Sequence, residues 1–375
     1  MLLHAEDMSF RYSTRILSNK MLILSEADVR KCCDISTAIS ANRKALSSLR
    51  KDGCGGAMVP TRIGLPYPWL SSSTSSPADW SLFKPAAYYP TETQNRTNET
   101  EEEILMGVKV VSPRHNNPKF NKPTVPATTM LLNAETGEVS AIIAATYLTA
   151  LRTAAGSALA TELVFNNDQR KMSEPSLCVF GAGLQAELHI KCIQHVVDIK
   201  KLAIINRSYN RAENLKKVIL ETESSITDIS VVLLSDEVAV KNAVDGADII
   251  CTTTNTGTPL FKGEFLRPGC HINGVGSYTP QMAEIDDVAV KRCEVLIDTK
   301  EALDVGDLTY LTEQSLNFCG LIGDALEGNI KFGKQRDDTD CTFFKSVGTS
   351  IQDVISANVV VEYAIKNNIG TTVEM

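Results

Sequence analysis

Apolar and polar positions alternate along the chain in two distinct rhythms. A short apolar run from Met21 to Leu24 meets Ser25, which predicts a strand followed by a serine-capped helix, and a second helix is predicted from Asp34 to about Leu49. Gly53 to Gly56 then turn the chain into the strand-like segment Val59-Pro60-Thr61-Arg62-Ile63. Further strands are predicted at Ile104 to Val111, with Lys109 in mid-run, at Thr128 to Leu132, and at Val139 to Ala144 beyond a hairpin turn at Ala134 to Glu138. Tyr147 to Ala160 reads as a helix dense in small residues, with Arg152 near its start.

Beyond Leu177 the rhythm becomes strand, helix, strand. Apolar runs at Leu177 to Phe180, Lys201 to Ile205, Ile229 to Leu234, Ala247 to Thr253, Cys270 to Ser277 and Glu294 to Thr299 are interleaved with helical patterns. That alternation predicts an α/β fold with a doubly wound parallel sheet, whose ligand lies at the carboxyl ends of the strands, where Thr254 and Gly276 fall. The closing segment from Cys341 to about Lys366 reads as strand, turn and amphipathic helix, and its pattern does not say which unit it joins.

The first of these strands runs straight into Gly181-Ala182-Gly183-Leu184-Gln185-Ala186 and then a helix. Gly181 can take dihedrals closed to other residues, Gly183 leaves no side chain between backbone and a pyrophosphate, and Ala186 is small enough for helix and strand to pack closely. The next strand ends in Asn206-Arg207-Ser208, about 25 residues past the first glycine, where an NAD site usually carries an acid. An arginine there can pair with a 2'-phosphate, so NADP(H) is expected in preference to NAD(H).

Composition narrows the classes. A chain of 375 residues suits two domains, and 43% hydrophobic with 22% charged residues is ordinary for a globular protein. The formal net charge of −8 argues against general nucleic-acid binding, so any anionic ligand must be held by local arginines and lysines. Ten scattered cysteines with five histidines show no clustered zinc spacing and point to a reducing, cytoplasmic setting. A mitochondrial leader is disfavoured by Glu6 and Asp7, and no run approaches the roughly 20 apolar residues of a membrane span. The nearly all-serine stretch at 71–76 and the polar, acidic tract from Thr91 to Glu103 read as flexible surface insertions flanking a short ordered piece, Leu82 to Tyr89.

These pieces resemble the ornithine cyclodeaminase and mu-crystallin family. The similarity is carried by Val59-Pro-Thr-Arg62, Gly107-Val-Lys-Val-Val111, Leu132-Asn-Ala-Glu-Thr-Gly137, Leu148-Thr-Ala-Leu-Arg-Thr-Ala-Ala155, Phe180-Gly-Ala-Gly-Leu-Gln-Ala186, Gly274-Val-Gly-Ser277 and Ser346-Val-Gly348. The resemblance implies a substrate and dimerisation domain built from both chain ends, 21–152 and 341–375 with an insertion near 66–103, around a Rossmann domain at 153–340, after an extension at 1–20. It further implies a homodimer, and Arg62, Lys109 and Arg152 converging on a substrate carboxylate, with Lys109 as the catalytic residue. Cofactor contacts are expected from Thr153, Gly181, Ala182, Gly183, Leu184, Gln185, Ala186, Asn206, Arg207, Ser208, Thr253, Thr254, Val275 and Gly276. No metal is implied.

The reaction so implied is NADP(H)-dependent reduction of the C=N bond of an imino acid, or the reverse oxidation of an amino acid. An alternative is a cyclodeaminase releasing ammonia with NAD, but that branch has an aspartate in the loop after the fourth Rossmann strand, and Cys251 to Pro259 contains no acid. Glu284 or Asp286 would have to replace it. A third possibility is a protein that holds NADPH and a small carboxylated ligand without turnover.

Overall fold

The computed structural model describes residues 20–67, 79–90, 103–167, 174–309, 316–333 and 341–374. The expected extension at 1–20, apart from Lys20, which opens the first strand, lies outside these residues, as do the serine tract and nearly all of the acidic tract. The first part comprises β1 Lys20–Leu24, α1 Glu26–Cys32, α2 Ile35–Ser47, β2 Ala57–Met58, β3 Ile63–Tyr67, β4 Asp79–Tyr88, β5 Leu105–Val111, β6 Ala127–Leu132, β7 Val139–Ala144 and α3 Thr146–Asn167. Then follow β8 Ser176–Phe180, α4 Leu184–Val196, β9 Lys201–Asn206, α5 Tyr209–Thr222, β10 Asp228–Leu233, α6 Glu237–Asp245, β11 Ile249–Thr252 and β12 His271–Gly274. The chain closes with α7 Asp287–Lys291, β13 Cys293–Ile297, β14 Asn317–Leu321, α8 Ile322–Leu326, β15 Cys341–Lys345, α9 Ser350–Lys366 and β16 Thr371–Glu374.

Two sheets result. One runs β16-β1-β7-β6-β5-β4-β2, with β3 also paired to β4. Its pairings are antiparallel except for β1 with β7. Residue alternation sets its faces: Gly107, Lys109 and Val111 of β5 are buried together. A Cβ on Gly107 would lie 3.3 Å from Val354 Cγ2, so that buried face looks onto α9. The missing side chain lets the closing helix approach the sheet.

The second sheet, β10-β9-β8-β11-β12-β15-β13-β14, is parallel throughout. Its central strands β11, β12 and β15 are buried along their whole lengths, as strands covered on both faces must be. From β8 the chain winds outward through β9 and β10, then returns to start β11 on the other side of β8. That reversal makes the ends of β8 and β11 a topological switch point, the crevice where open α/β sheets bind ligands. The doubly wound parallel sheet expected from the sequence is present, with β14 and β15 as strands beyond the six read from the pattern.

The return to the first unit begins later than the residue 341 that the resemblance implied. β15 pairs with β12 and β13 inside the parallel sheet, and only after Lys345 does the chain reach α9, which packs on β4, β5 and α2. The piece read as short and ordered between two insertions is likewise a ten-residue strand, β4, paired between β5 and the β2 and β3 edge of the first sheet. Among the described residues no helix is long and apolar enough to cross a membrane, and no group of side chains is arranged to hold a metal ion.

Candidate functional site

Gly181 ends β8 at φ +118°, a left-handed conformation that favours glycine, and its N–H donates to Ile205 O at 2.9 Å. A Cβ there would crowd the Thr253 hydroxyl. Gly183 differs: its backbone is extended, and nothing lies within 4 Å of where a Cβ would sit. It caps α4 with no side-chain hydrogen bond, leaving the first N–H groups of the helix open. The buried Gln185 Oε1 beside it has no hydrogen-bond partner. Open space and free helix donors at a switch point fit a nucleotide pyrophosphate.

The neighbouring predicted residues lie along the same edge. Thr253 extends from β11 and is tied to Phe180 O through both its N–H, at 3.0 Å, and its hydroxyl, at 2.8 Å. Asn206 at the end of β9 donates to Ser208 O at 3.0 Å, while Arg207 is exposed and has no acidic partner among the described residues. Thr153 is buried on α3, its hydroxyl donating to Thr149 O at 2.8 Å.

A buried acid weighed from the sequence only as a substitute catalytic group holds the middle of this edge together. Glu284 accepts hydrogen bonds from the Thr252 hydroxyl at 2.8 Å, the Thr254 N–H at 2.6 Å, the Thr254 hydroxyl at 2.7 Å and the Gly276 N–H at 2.7 Å. It thereby ties the ends of β11 and β12, which come so close that a Cβ on Gly276 would overlap Thr254 O. Burial first, then the nearby charge of Asp307, push its carboxyl up to about 7 against the hydrogen bonds from Thr254. Asp307 in turn accepts from the Glu284 and Ile285 N–H groups and pairs with buried Lys345 at 2.8 Å. Asp286, by contrast, caps α7 by accepting from Ala289 N–H. Neither acid stands free to replace the one missing from 251–259.

The cations gather just past β15. Ser346 O–H and the N–H groups of Val347 and Gly348 all donate to Asp298 Oδ2, which fixes this loop, and Gly348 takes φ +74°. So held, the loop presents its carbonyls outward: Arg62 donates to Val347 O at 3.4 Å and Gly348 O at 3.2 Å, and Lys84 donates to Gly348 O at 3.3 Å. A Cβ on Gly348 would press on the Arg152 guanidinium. From the first turn of α9, Asp353 Oδ1 receives Lys109 Nζ at 2.6 Å and Arg152 Nε at 2.9 Å, while its Oδ2 lies 3.3 Å from Lys84 Nζ. Lys109 and Arg152 thus meet at Asp353, and Arg62 lies beside them on the Gly348 loop.

Two members of that cluster escaped the sequence reading. Lys84 lies in β4, the strand hidden between polar tracts, and Asp353 looked like an ordinary polar position of an amphipathic helix. Burial would raise the Asp353 carboxyl, but Arg152, Lys109 and Lys84 outweigh it and hold the group well below the usual carboxylate range. Burial pushes Lys84 down to about 8 and Lys109 well below the ordinary lysine value, Asp353 opposing in each case. One buried carboxylate facing Lys84, Lys109 and Arg152, with Arg62 next to Lys84 on the Gly348 carbonyl, leaves an excess of positive charge in a desolvated place, which suits a ligand carboxylate.

The glycine corner and the cations share one edge. Ser346 N–H donates to Gly274 O at 3.0 Å, so the cation-bearing loop adjoins the end of β12. In sheet order the edge reads β8 with Gly181, β11 with Thr253 and Thr254, β12 with Val275 and Gly276, then β15 with the loop. At about 4.8 Å per strand that is a span of roughly 14 Å.

The sequence pattern of the ornithine cyclodeaminase/mu-crystallin family matches residues 96–368. A Delta(1)-pyrroline-2-carboxylate reductase of Bacillus cereus is 29% identical over 361 residues, covering 94% of this chain and 100% of that protein. Among solved structures, Thermococcus litoralis Delta(1)-pyrroline-2-carboxylate reductase in complex with NADH and L-proline superposes with a TM-score of 0.79 at 26% identity, over 94% of this chain and 100% of that one. An archaeal alanine dehydrogenase dimer with bound NAD gives 0.78 at 25% identity, over 95% and 99%. The chain therefore belongs to the ornithine cyclodeaminase/mu-crystallin family.

Proposed function

We propose that this protein is an NADP(H)-dependent reductase of α-imino acids, acting on the C=N bond of a cyclic imino acid such as a pyrroline-2-carboxylate. The observation that carries the reading is the buried cluster of Lys84, Lys109 and Arg152 around the carboxylate of Asp353, with half-buried Arg62 beside it on the Gly348 carbonyl, on the sheet edge shared with the glycine corner. The names of the Bacillus and Thermococcus relatives, and the NADH and L-proline bound to the latter, support imine reduction with a nicotinamide cofactor.

Within this reading Gly181 to Ala186, with Thr153, Asn206 to Ser208, Thr253, Thr254, Val275 and Gly276, hold the dinucleotide. When bound, it supplies hydride to the imine carbon. Arg62 and Arg152 grip the substrate carboxylate and orient the C=N bond, and Lys109 gives a proton at the nitrogen. Preference for the 2'-phosphate rests on Arg207, exposed at the end of β9 without an acid beside it among the described residues. Two chains associate as in the archaeal dimer, each contributing a unit built from both chain ends. An ammonia-releasing cyclisation is the weaker reading, because Glu284 is consumed by four hydrogen bonds and Asp286 by a helix cap.

The test is a steady-state assay of the full chain with NADPH and NADH against cyclic and open-chain imino acids, with ammonia release from ornithine measured in parallel. Oxidation of NADPH by a cyclic imino acid, faster than of NADH, is the expected result. Silence with every imine under both cofactors refutes the reading, and ammonia release without net cofactor change replaces it by the cyclodeaminase.

A further inference from the structure

Lys84 and Lys109 are direct cross-strand partners in the antiparallel register of β4 and β5, and both side chains are buried, 4% and 1% exposed. Opposed residues on one sheet face stand close enough that like charges repel. What separates these two is Asp353, reaching from α9 with Oδ1 at 2.6 Å from Lys109 Nζ and Oδ2 at 3.3 Å from Lys84 Nζ. Arg152 Nε claims Oδ1 as well, at 2.9 Å, and an arginine does not give up its proton. One negative charge is therefore shared by three cations, two of which can relieve the crowding by releasing a proton.

We propose that Lys84 and Lys109 act as a coupled pair across Asp353, in which the charge on Lys84 sets how readily Lys109 hands its proton to the imine nitrogen. Lys84 is then a positioning residue for the proposed reduction, and the inference rests on that reading for its catalytic consequence, though not for the coupling itself. In the step concerned an N–H bond breaks at Lys109 and one forms at the imine nitrogen, while hydride from the reduced nicotinamide cofactor forms the new C–H bond; Lys109 recovers its proton from solvent after product leaves.

The surroundings fit that division of labour. Lys109 donates to Thr149 Oγ1 at 3.4 Å besides Asp353, and the next residue in register, Thr129 on β6, has a buried hydroxyl without a partner. A polar ligand atom placed beside Lys109 would find that hydroxyl free. Lys84 instead donates to the Gly348 carbonyl, toward Arg62, and lies in the field of Glu301. The charged groups facing the pair are thus Asp353 and Arg152 from helices α9 and α3, Arg62 before β3, and Glu301 after β13. Apart from the two acids, every one of them disfavours a second ammonium, and burial adds to this. A neighbouring cation in a desolvated pocket is a known way to make a lysine work near neutral pH.

The test separates the coupling from the activity. Side-chain NMR of lysines labelled at Cε follows the Lys109 titration in the full chain, with assignment by its loss in Lys109→Met. Replacing Lys84 by methionine, which keeps length and removes charge, should raise the Lys109 midpoint by one pH unit or more; Lys84→Arg, which keeps charge, should leave it near the wild-type value. In the imine assay the alkaline limb of kcat should move with the NMR midpoint, tenfold or more in rate well above the wild-type midpoint for Lys84→Met, whereas the position of that limb on the pH axis should not move for Lys84→Arg. Should Lys84→Met fail to fold, Lys84→Gln makes the same measurement. An unmoved Lys109 midpoint in the neutral variants overturns the proposal. A shifted midpoint in a protein that turns over no imine upholds the pair and refutes the proposed function alone.

Discussion

Replacing Asp353 by asparagine removes the one negative charge among the buried cations and changes almost nothing in shape. Lys109, Arg152 and Lys84 lose a partner at 2.6, 2.9 and 3.3 Å respectively. Breaking a buried ion pair costs about 3–5 kcal/mol, because charge is left uncompensated. The lysines set a ceiling on that cost, since each can shed its proton instead: from an unfolded-state value near 10.4, doing so at pH 7 costs about 5 kcal/mol. Asp353→Asn should therefore lower stability by about 3–5 kcal/mol at pH 7. The sign of the pH dependence follows from proton counts. In the variant the folded state binds fewer lysine protons than in the wild type, while the unfolded chains match. The gap must then narrow as pH rises, by up to about 1.4 kcal/mol per unit for each proton. Narrowing ends once the wild-type lysines have themselves discharged, near the value of about 8 to which Lys84 is pushed. Urea denaturation between pH 6 and 9 measures this, with Trp80, on the same strand as Lys84, as fluorescent reporter. A gap below about 1 kcal/mol at pH 7, or one that does not change between pH 6.5 and 8.5, refutes the reasoning.

Other expectations concern the cofactor edge. Gly183→Val, at an extended position with nothing within 4 Å of the new Cβ, should cost only about 1 kcal/mol, that of a poorer helix N-cap. The same variant should abolish dinucleotide binding in calorimetry, and full-strength binding would remove the pyrophosphate from this corner. Arg207→Ser should raise KM for NADPH by roughly 10- to 100-fold, the worth of charge-assisted hydrogen bonds, and leave KM for NADH unchanged. Glu284 is held up to about 7, so the folded state keeps its proton while the unfolded chain has lost it. Its contribution is full below the unfolded value near 4.5 and is lost as pH rises through 7, by about 3 kcal/mol in all. His189 and His271, pushed down by burial to about 4 and about 3, act oppositely and destabilise the fold on acidification below 6.5. Comparing Glu284→Gln with the wild type between pH 5 and 7 cancels the histidines, and identical slopes would contradict the assignment.

What the sequence made legible was what is local. Gly181, Gly183 and Ala186 act within one turn, so their spacing alone identifies a strand, a tight corner and a helix, and the parallel sheet follows from the rhythm after it. Arg62, Lys109 and Arg152 are far apart in the chain, and only family resemblance put them together. Lys84 and Asp353 were out of reach for a physical reason: a lysine followed by proline between polar tracts reads as surface, and an acid on the first turn of a helix reads as a favourable end charge. Their meaning exists only once β4 meets β5 in register and α9 lies across them. β15 shows the same limit, because five buried residues state that a strand exists and not which neighbours it takes. Glu284 was weighed as a substitute acid, yet its four hydrogen bonds depend on the ends of β11 and β12 meeting, which no spacing reveals.

The central claim is that a buried, positively charged cluster recognises the carboxylate of an imino acid. The most direct measurement compares kcat/KM for a cyclic imino acid with that for the same ring lacking its carboxylate, using NADPH and the wild-type chain. Loss of a buried charge pairing of about 2–5 kcal/mol predicts a fall of at least about thirtyfold for the decarboxylated imine, and that Arg152→Met erases most of the difference. Equal kcat/KM for the two imines would contradict the account.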